Sequence, residues 1–248
     1  MLELRDFHIG YKRGLEVVKG VTIGLNPGET TVLLGPNGSG KSTLIKGAVG
    51  AIRINQGSLI LDGKAIEKPS ERASVIAYVP QKAELPALSV YETILMGRLP
   101  IFGYAAGRED HEATRAIIEK FGLKELAIKN AHELSGGEAQ KIMVARALVS
   151  NPKAIFFDEP TSNLDIANQM LVLNEIKTIT KEGIIVLIAM HDINLALGLG
   201  QKFYCLKSGE IISEGGTESI TPELMERLYG VHAEIHEGKN RHYIHFGE

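Results

Sequence analysis

Nine consecutive residues, Gly35-Pro36-Asn37-Gly38-Ser39-Gly40-Lys41-Ser42-Thr43, constrain this chain more than any other segment. They fit G-x-x-x-x-G-K-[ST] at Gly35, Gly40, Lys41 and Ser42, after an apolar run from Thr30 to Leu34 and before a stretch, Lys41 to Val49, that reads as a helix. A strand that runs into a glycine loop and then a helix is a phosphate cradle. The glycines let consecutive backbone N–H groups curl around an anion, and the helix N-terminus adds its dipole. Lys41 supplies a mobile charge for the β- and γ-phosphate oxygens, and the Ser42 hydroxyl is a hard ligand for Mg²⁺. The loop by itself specifies a nucleoside-triphosphate site. It does not choose between a kinase, a GTPase and a transporter motor.

The surrounding pattern indicates how such a loop is housed. The length, 248 residues, suits one α/β domain with an inserted subdomain or two small domains. Short strands are expected up to about residue 80, at Leu2 to Ile9, Val21 to Leu25, Thr30 to Leu34, Ser58 to Leu61 and Val75 to Val79. From about Ala87 to Asn151 the β signals disappear, and Val90 to Met96, Glu109 to Phe121 and Glu138 to Val149 read as helices. Parallel-sheet character returns in the apolar runs Ala154 to Phe157 and Ile184 to Ala189, with a helix, Ile166 to Thr180, between them. Lys202 to Leu206 and Glu210 to Ser213 look like closing strands, and Thr221-Pro222 caps a final helix to Tyr229. The expected organisation is therefore a core made of residues 1–86 and 152–248, interrupted by a helical unit at 87–151.

Two further constellations carry chemistry. In Lys153-Ala-Ile-Phe-Phe-Asp158-Glu159-Pro160 one carboxylate ends an apolar strand and a second follows directly. Beside a phosphate loop, Asp158 reads as the carboxylate that holds Mg²⁺ and Glu159 as the general base for the attacking water. In Leu134-Ser135-Gly136-Gly137-Glu138-Ala139-Gln140, Ser135 and Glu138 form a capping box, which accounts for the Ser and the Glu. It does not account for two glycines, which weaken a helix start unless a backbone must approach something closely. Two glycines and a free hydroxyl at a helix N-terminus make a second phosphate-binding device. Two devices and one triphosphate suggest a shared site.

Gly35 to Thr43, Leu134 to Gln140 and Ala154 to Pro160, in this order and spacing, resemble the Walker A, signature and Walker B motifs of ABC-type ATPases. The resemblance implies a P-loop ATPase with a RecA-like core, an antiparallel β subdomain and an inserted helical subdomain carrying the signature. It also implies ATP and Mg²⁺ as cofactors and a head-to-tail dimer, with ATP between the loop of one copy and Ser135, Gly136 and Gly137 of the other. Residue by residue, Tyr11 takes the place of the ring under the adenine, and Gln81 that of the glutamine that senses Mg²⁺ and water and links the site to the membrane partner. Ser162-Asn163-Leu164-Asp165 takes the place of the loop that crosses the dimer interface, with Asp165 also an N-cap, and His191 that of the histidine on the γ-phosphate. Lys41, Gln81, Glu159 and His191 would then share the catalysis, and Ser42, Gln81 and Asp158 the metal. Ala139 and Lys141 depart from the larger polar residue and the arginine common after the signature glycines.

DNA-maintenance relatives carry a long coiled coil between the glutamine loop and the signature, whereas 53 residues separate Gln81 from Ser135 here. The single cassette resembles the motor subunit of prokaryotic importers, with a soluble ABC ATPase acting on nucleic acid as the alternative of a different class. Met96 to Pro100, His191 to Ala196 and Gly215 to Gly230 resemble the ATPases of iron-siderophore, haem and cobalamin importers, with metal-ion and molybdate importers as alternatives. These imply a polytopic permease dimer, whose coupling helix would meet the surface from Lys82 to Tyr104, and an extracytoplasmic substrate-binding protein. They place the chain at the cytoplasmic face of the membrane, held there through the permease.

Composition agrees with these expectations. Apolar residues make up 44% and charged residues 23%, as in globular proteins, and the longest strictly apolar run, Ile184 to Met190, falls well short of the roughly 20 residues that span a bilayer. The amino end carries no basic-then-apolar signal pattern, and a formal charge of -3 argues against nucleic acid as a bulk partner. The lone cysteine, Cys205, reads as a small apolar filler in a strand. The tail, Val231 to Phe246, alternates like a hairpin around Glu237 to Asn240. His232, His236 and His245 would then share its polar face, compatible with a transition metal but read as solvated strand residues.

Overall fold

The computed structural model describes residues 1–12, 15–82, 85–102, 105–162, 164–237 and 242–247. Strands β1 (Leu2–Lys12) and β2 (Leu15–Leu25) pair antiparallel, followed by β3 (Thr30–Leu34), helix α1 (Lys41–Ala48), β4 (Gln56–Leu61) and the short β5 (Lys64–Ala65). Next come α2 (Pro69–Val75), β6 (Ile76–Val79), α3 (Val90–Leu95), α4 (Arg108–Lys120) and α5 (Gly136–Leu148). The chain continues through β7 (Ala154–Asp158), α6 (Ile166–Lys181), β8 (Ile185–Met190) and α7 (Ile193–Leu197), then β9 (Lys202–Lys207), β10 (Glu210–Gly215), α8 (Pro222–Tyr229), β11 (Ala233–Glu237) and β12 (His242–Phe246).

These strands form three sheets among the described residues. The first is antiparallel, in the order β2-β1-β4-β5. The second runs β10-β9-β3-β8-β7-β6, parallel except for the edge strand β10. The third is the β11-β12 hairpin. Every residue of β3, β7 and β8 is buried, the near-continuous apolar pattern of parallel strands covered on both faces. Because side chains alternate, Val32 and Leu34 enter one core with Phe157 and Ile188, while Leu33 enters another with Phe156 and Leu187, packed against β1 and β2. The helices α3, α4 and α5 occupy the stretch where strands were not expected.

Most expected elements form, with boundaries moved by a few residues. Two features differ. The segment before Ile76 is a helix, α2, where only strand signals were read. Pro69 starts it, Glu71 lies in its first turn, and the buried Arg72 side chain ties it down by donating to the Ile66 carbonyl (3.2 Å) and the Gly47 carbonyl (3.1 Å). The first strand runs past Ile9 to Lys12, so Tyr11 lies within β1 rather than after it. Irregular pairing, with Asp6 at φ 52°, breaks the alternation that would have revealed the full strand.

Cys205 is buried in β9, where burial pushes its thiol up to about 12, so it is an inert filler as expected. The tail forms a hairpin; its turn, residues 238–241, lies outside the described residues. His236 stacks on Tyr243 (5.2 Å between ring centres) and lies 6.4 Å from His245. Among the described residues no group of three or more His, Cys, Asp or Glu side chains could hold a metal ion. Nor is any described helix long and apolar enough to cross a membrane.

Candidate active site

Four adjacent parallel strands deliver the expected residues to one edge. β3 ends at Leu34 and leads into the glycine loop, β8 leads to His191, β7 ends on Asp158 and Glu159, and β6 leads to Gln81. This is the carboxyl edge of the sheet, where β3 sits between β8 and β9 and connections leave in opposite directions, the usual ligand crevice of an open α/β sheet. A cavity of 630 Å³ there is lined by the loop, Gln81, Glu159 and His191. The loop needs its glycines. A Cβ on Gly35 would meet the Leu206 carbonyl oxygen at 2.3 Å, and Gly40 precedes α1 at φ 110°, a conformation that side chains disfavour.

Lys41 opens α1 and is buried, its ammonium donating to the Gly35 carbonyl (2.7 Å) and the Pro36 carbonyl (3.2 Å). Burial lowers its pKa, against the pull of Glu159 and Asp158. The Ser42 hydroxyl donates to Asp158 Oδ1 at 2.8 Å, and the Tyr78 hydroxyl to Asp158 Oδ2 at 3.3 Å. Burial pushes the Asp158 carboxyl up, while those two hydrogen bonds pull it down. Tyr78 was not singled out in the sequence. Its own phenol is pushed far up, first by burial and then by Asp158, so it remains a donor at neutral pH. The available signal was a tyrosine in β6, opposite Phe156 of β7 and two residues short of the carboxylate.

Glu159 is the hub. Its backbone adopts φ 49°, unusual for a residue with a side chain and costing about 1–3 kcal/mol. Its amide donates to the Ala189 carbonyl of β8 at 3.0 Å, which holds that conformation. Gln81 Nε2 donates to Glu159 Oε2 at 2.8 Å, His191 Nδ1 lies 3.2 Å from the same oxygen, and Lys41 Nζ lies 3.8 Å from Oε1. Residues from the ends of β3, β6 and β8 thus converge on one carboxylate.

The remaining expected residues fall elsewhere. Tyr11 is 60% exposed, and its hydroxyl lies 3.1 Å from Thr43 Oγ1 of the cradle. Ser135 caps α5, and Gly136 lines a separate 720 Å³ cavity with Gln81, Leu85, Ser162 and Leu164. The Ser135 hydroxyl is not free: it donates to Glu138 Oε2 at 2.6 Å while the Glu138 amide donates back to it at 3.4 Å. The capping box that the sequence announces claims the hydroxyl, so a phosphate would have to compete with Glu138 for it. The two glycines also differ. A Cβ on Gly137 would meet Asn168 Oδ1 at 2.2 Å, whereas one on Gly136 meets nothing within 4 Å. Asp165 caps α6 by accepting from the Asn168 amide at 2.8 Å, and Asn168 Nδ2 donates to Asp165 Oδ2 at 2.9 Å, so one side chain joins the α6 cap to the start of α5. Asn163 lies outside the described residues.

The donor set suits Mg²⁺, which takes one or two protein oxygen ligands and fills its octahedron with water and phosphate oxygens. Ser42 and Asp158 bring two hard oxygens within 2.8 Å of each other, and Gln81 engages Glu159 only through Nε2.

A family model described as ABC transporter matches residues 18–162, more than half of the chain. An uncharacterised ABC transporter ATP-binding protein of Methanocaldococcus jannaschii is 39% identical over 238 residues, covering 95% of this chain and 93% of that protein. The iron(3+)-hydroxamate import ATP-binding protein FhuC of Bacillus subtilis is 35% identical, over 94% of this chain and 89% of its own length. Among solved structures, a dimeric ATP-binding cassette in a post-hydrolysis state with ADP and Pi superposes with a TM-score of 0.75 at 28% identity, covering 87% of this chain and 98% of that one.

Proposed function

Because the chain belongs to the ABC transporter family as an ATP-binding, ATP-hydrolysing cassette, we propose that it is the motor subunit of an importer and that it works as a head-to-tail dimer. The observation that carries this reading is the split of the expected residues between two cavities. One holds the cradle with Lys41, Gln81, Glu159 and His191; the other is bordered by Gly136 at the start of the signature helix. The Gly136 and Gly137 amides, first in α5, have no acceptor within their own helix and suit a phosphate presented by a second copy. In this reading residues 87–151 form the unit that brings the signature to the partner's cradle.

In the mechanism, the glycine loop and Lys41 hold the β- and γ-phosphates, and Glu159 accepts the proton of the attacking water. Gln81 and His191 fix the Glu159 carboxylate by its Oε2, and the strained backbone aims it into the cavity. Ser42 and Asp158 would hold Mg²⁺, which when bound neutralises charge on the β- and γ-phosphate oxygens. Tyr78 and Ser42 keep Asp158 in place. Tyr11, beside Thr43, offers a ring for the adenine. Turnover relies on positioning and electrostatics, with no covalent intermediate.

For cargo, the reading is an iron-siderophore, haem, cobalamin or related metal-containing substrate, supported by the likeness to an iron-hydroxamate importer ATPase. The partners are a permease dimer, docking on the surface from Lys82 to Tyr104, and an extracytoplasmic binding protein that acts through it. Residues 83, 84, 103 and 104 of that surface lie outside the described residues. Such a subunit sits at the cytoplasmic face of the membrane. The chain copurified with its permease should show ATPase activity stimulated by a binding protein loaded with a ferric siderophore, haem or cobalamin. Stimulation by a molybdate- or zinc-loaded binding protein alone would replace the cargo class.

A further inference from the structure

α7 has only five residues and follows His191 directly, so it cannot hold its own place: helices this short are unstable in isolation. Its N-terminus is capped by Asp192, which accepts from the Leu195 amide at 3.0 Å, and Ile193, Ala196 and Leu197 are buried beneath it. Its other attachment is to the C-terminal hairpin. Asn194 Nδ2 donates to the Ile244 carbonyl at 3.0 Å, and the Ile244 amide donates to Asn194 Oδ1 at 2.8 Å. Both polar ends of one side chain are thus engaged by the outer edge of β12, as a further strand would engage it.

The hairpin is firmly seated. Ala233 and Ile244 are buried, and Phe246 packs edge-on against Tyr229 of α8 at 6.2 Å. The buried Tyr229 hydroxyl has no hydrogen-bond partner among the described residues. The hairpin is therefore tied to α7 through Asn194 and to α8 through Tyr229.

We propose that the C-terminal hairpin is a clamp for the catalytic histidine, with Asn194 as the positioning residue through which Ile244 of β12 fixes α7 and so the approach of His191 to Glu159. The inference rests on the reading of His191 given above. Asn194 lies three residues after His191, across the Asp192 cap, so freeing it leaves the segment from His191 to Asn194 held by the cap and Ile193 without the hairpin. Nucleotide binding, made by the loop and Lys41, does not depend on this contact. Loss of the clamp should lower turnover more than affinity.

The experiment uses the full chain with Asn194→Leu, which removes both hydrogen bonds at similar volume, and Asn194→Asp, which keeps the acceptor and removes the donor. His191→Ala is the control. Steady-state ATPase kinetics should show kcat reduced about 5- to 20-fold in Asn194→Leu, with KM for ATP changed less than twofold and a smaller kcat loss in Asn194→Asp. In spectra of histidine-labelled chain, the His191 ring signal, identified by its disappearance in His191→Ala, should move in Asn194→Leu. If His191→Ala abolishes turnover while Asn194→Leu keeps both kcat and the His191 signal, the clamp is wrong although the role of His191 stands. If His191→Ala retains turnover, the role of His191 fails. Should Asn194→Leu not fold, an unchanged kcat and signal in Asn194→Asp also overturns the clamp.

Discussion

Glu159 concentrates the strain and the contacts of the site, and its carboxylate can be tested by the smallest change available. Glu159→Gln keeps the shape and one oxygen but cannot accept the proton of water. The variant should bind ATP, accumulate as closed dimers in sedimentation, and turn over at least 10²-fold more slowly than the parent chain. A second test at this scale concerns pH. The His8 pKa is raised above its ordinary value of 6.5, first by its hydrogen bond to Glu16, against the opposing effect of burial, and further by Asp6. A base raised in the folded state contributes stability fully below its unfolded value, and that contribution fades as pH rises through the folded value. His8→Gln should therefore lower the denaturation midpoint more at pH 5.5 than at pH 9. Single residues were largely legible here: Lys41, Ser42, Asp158 and Glu159 follow from the chemistry of their neighbours in sequence. Tyr78 was not legible, because its partner Asp158 is 80 positions away and only sheet pairing brings them together.

The start of α5 offers the sharpest contrast between packing and function within a single element. A methyl on Gly137 must displace the Asn168 side-chain amide, which is paired with Asp165 of the α6 cap. Gly136 faces open space. Gly136→Ala should leave stability unchanged or raise it by up to ~1 kcal/mol through helix propensity while lowering turnover. Gly137→Ala should lower both, as read by denaturant titration beside an ATPase assay. The sheet gives a different kind of test: Phe156 is fully buried between β7 and the antiparallel sheet, and Phe156→Ala should cost about 3–5 kcal/mol in unfolding free energy. Elements with strong periodicity or caps, such as β3, β7, β8, α5 and α6, were readable in advance. α2 was not, because its seven residues are held by one buried arginine reaching two carbonyls that sequence pattern does not display. α7 escaped for the same reason, its position being set by Ile244, fifty residues downstream.

At the scale of the whole molecule, the cradle and the signature helix border different cavities of one chain, and among the described residues Gln81 and Ser162 line both. Sequence order suggested a shared site, which the proposed head-to-tail dimer would form from the cradle of one copy and the signature helix of the other. Assembly belongs to the dimer, and a mixing measurement tests it most directly. Lys41→Ala removes the ammonium of the cradle and Ser135→Arg places a bulky side chain at the start of α5, so each variant alone should be nearly inactive. Random pairing makes half of the dimers mixed, and each of these has one intact site, with the cradle from one chain and the signature from the other. Equimolar mixing should restore ATPase activity toward about one quarter of the parent rate. Activity no greater than the sum of the two variants, with mixed dimers demonstrably present, would contradict it.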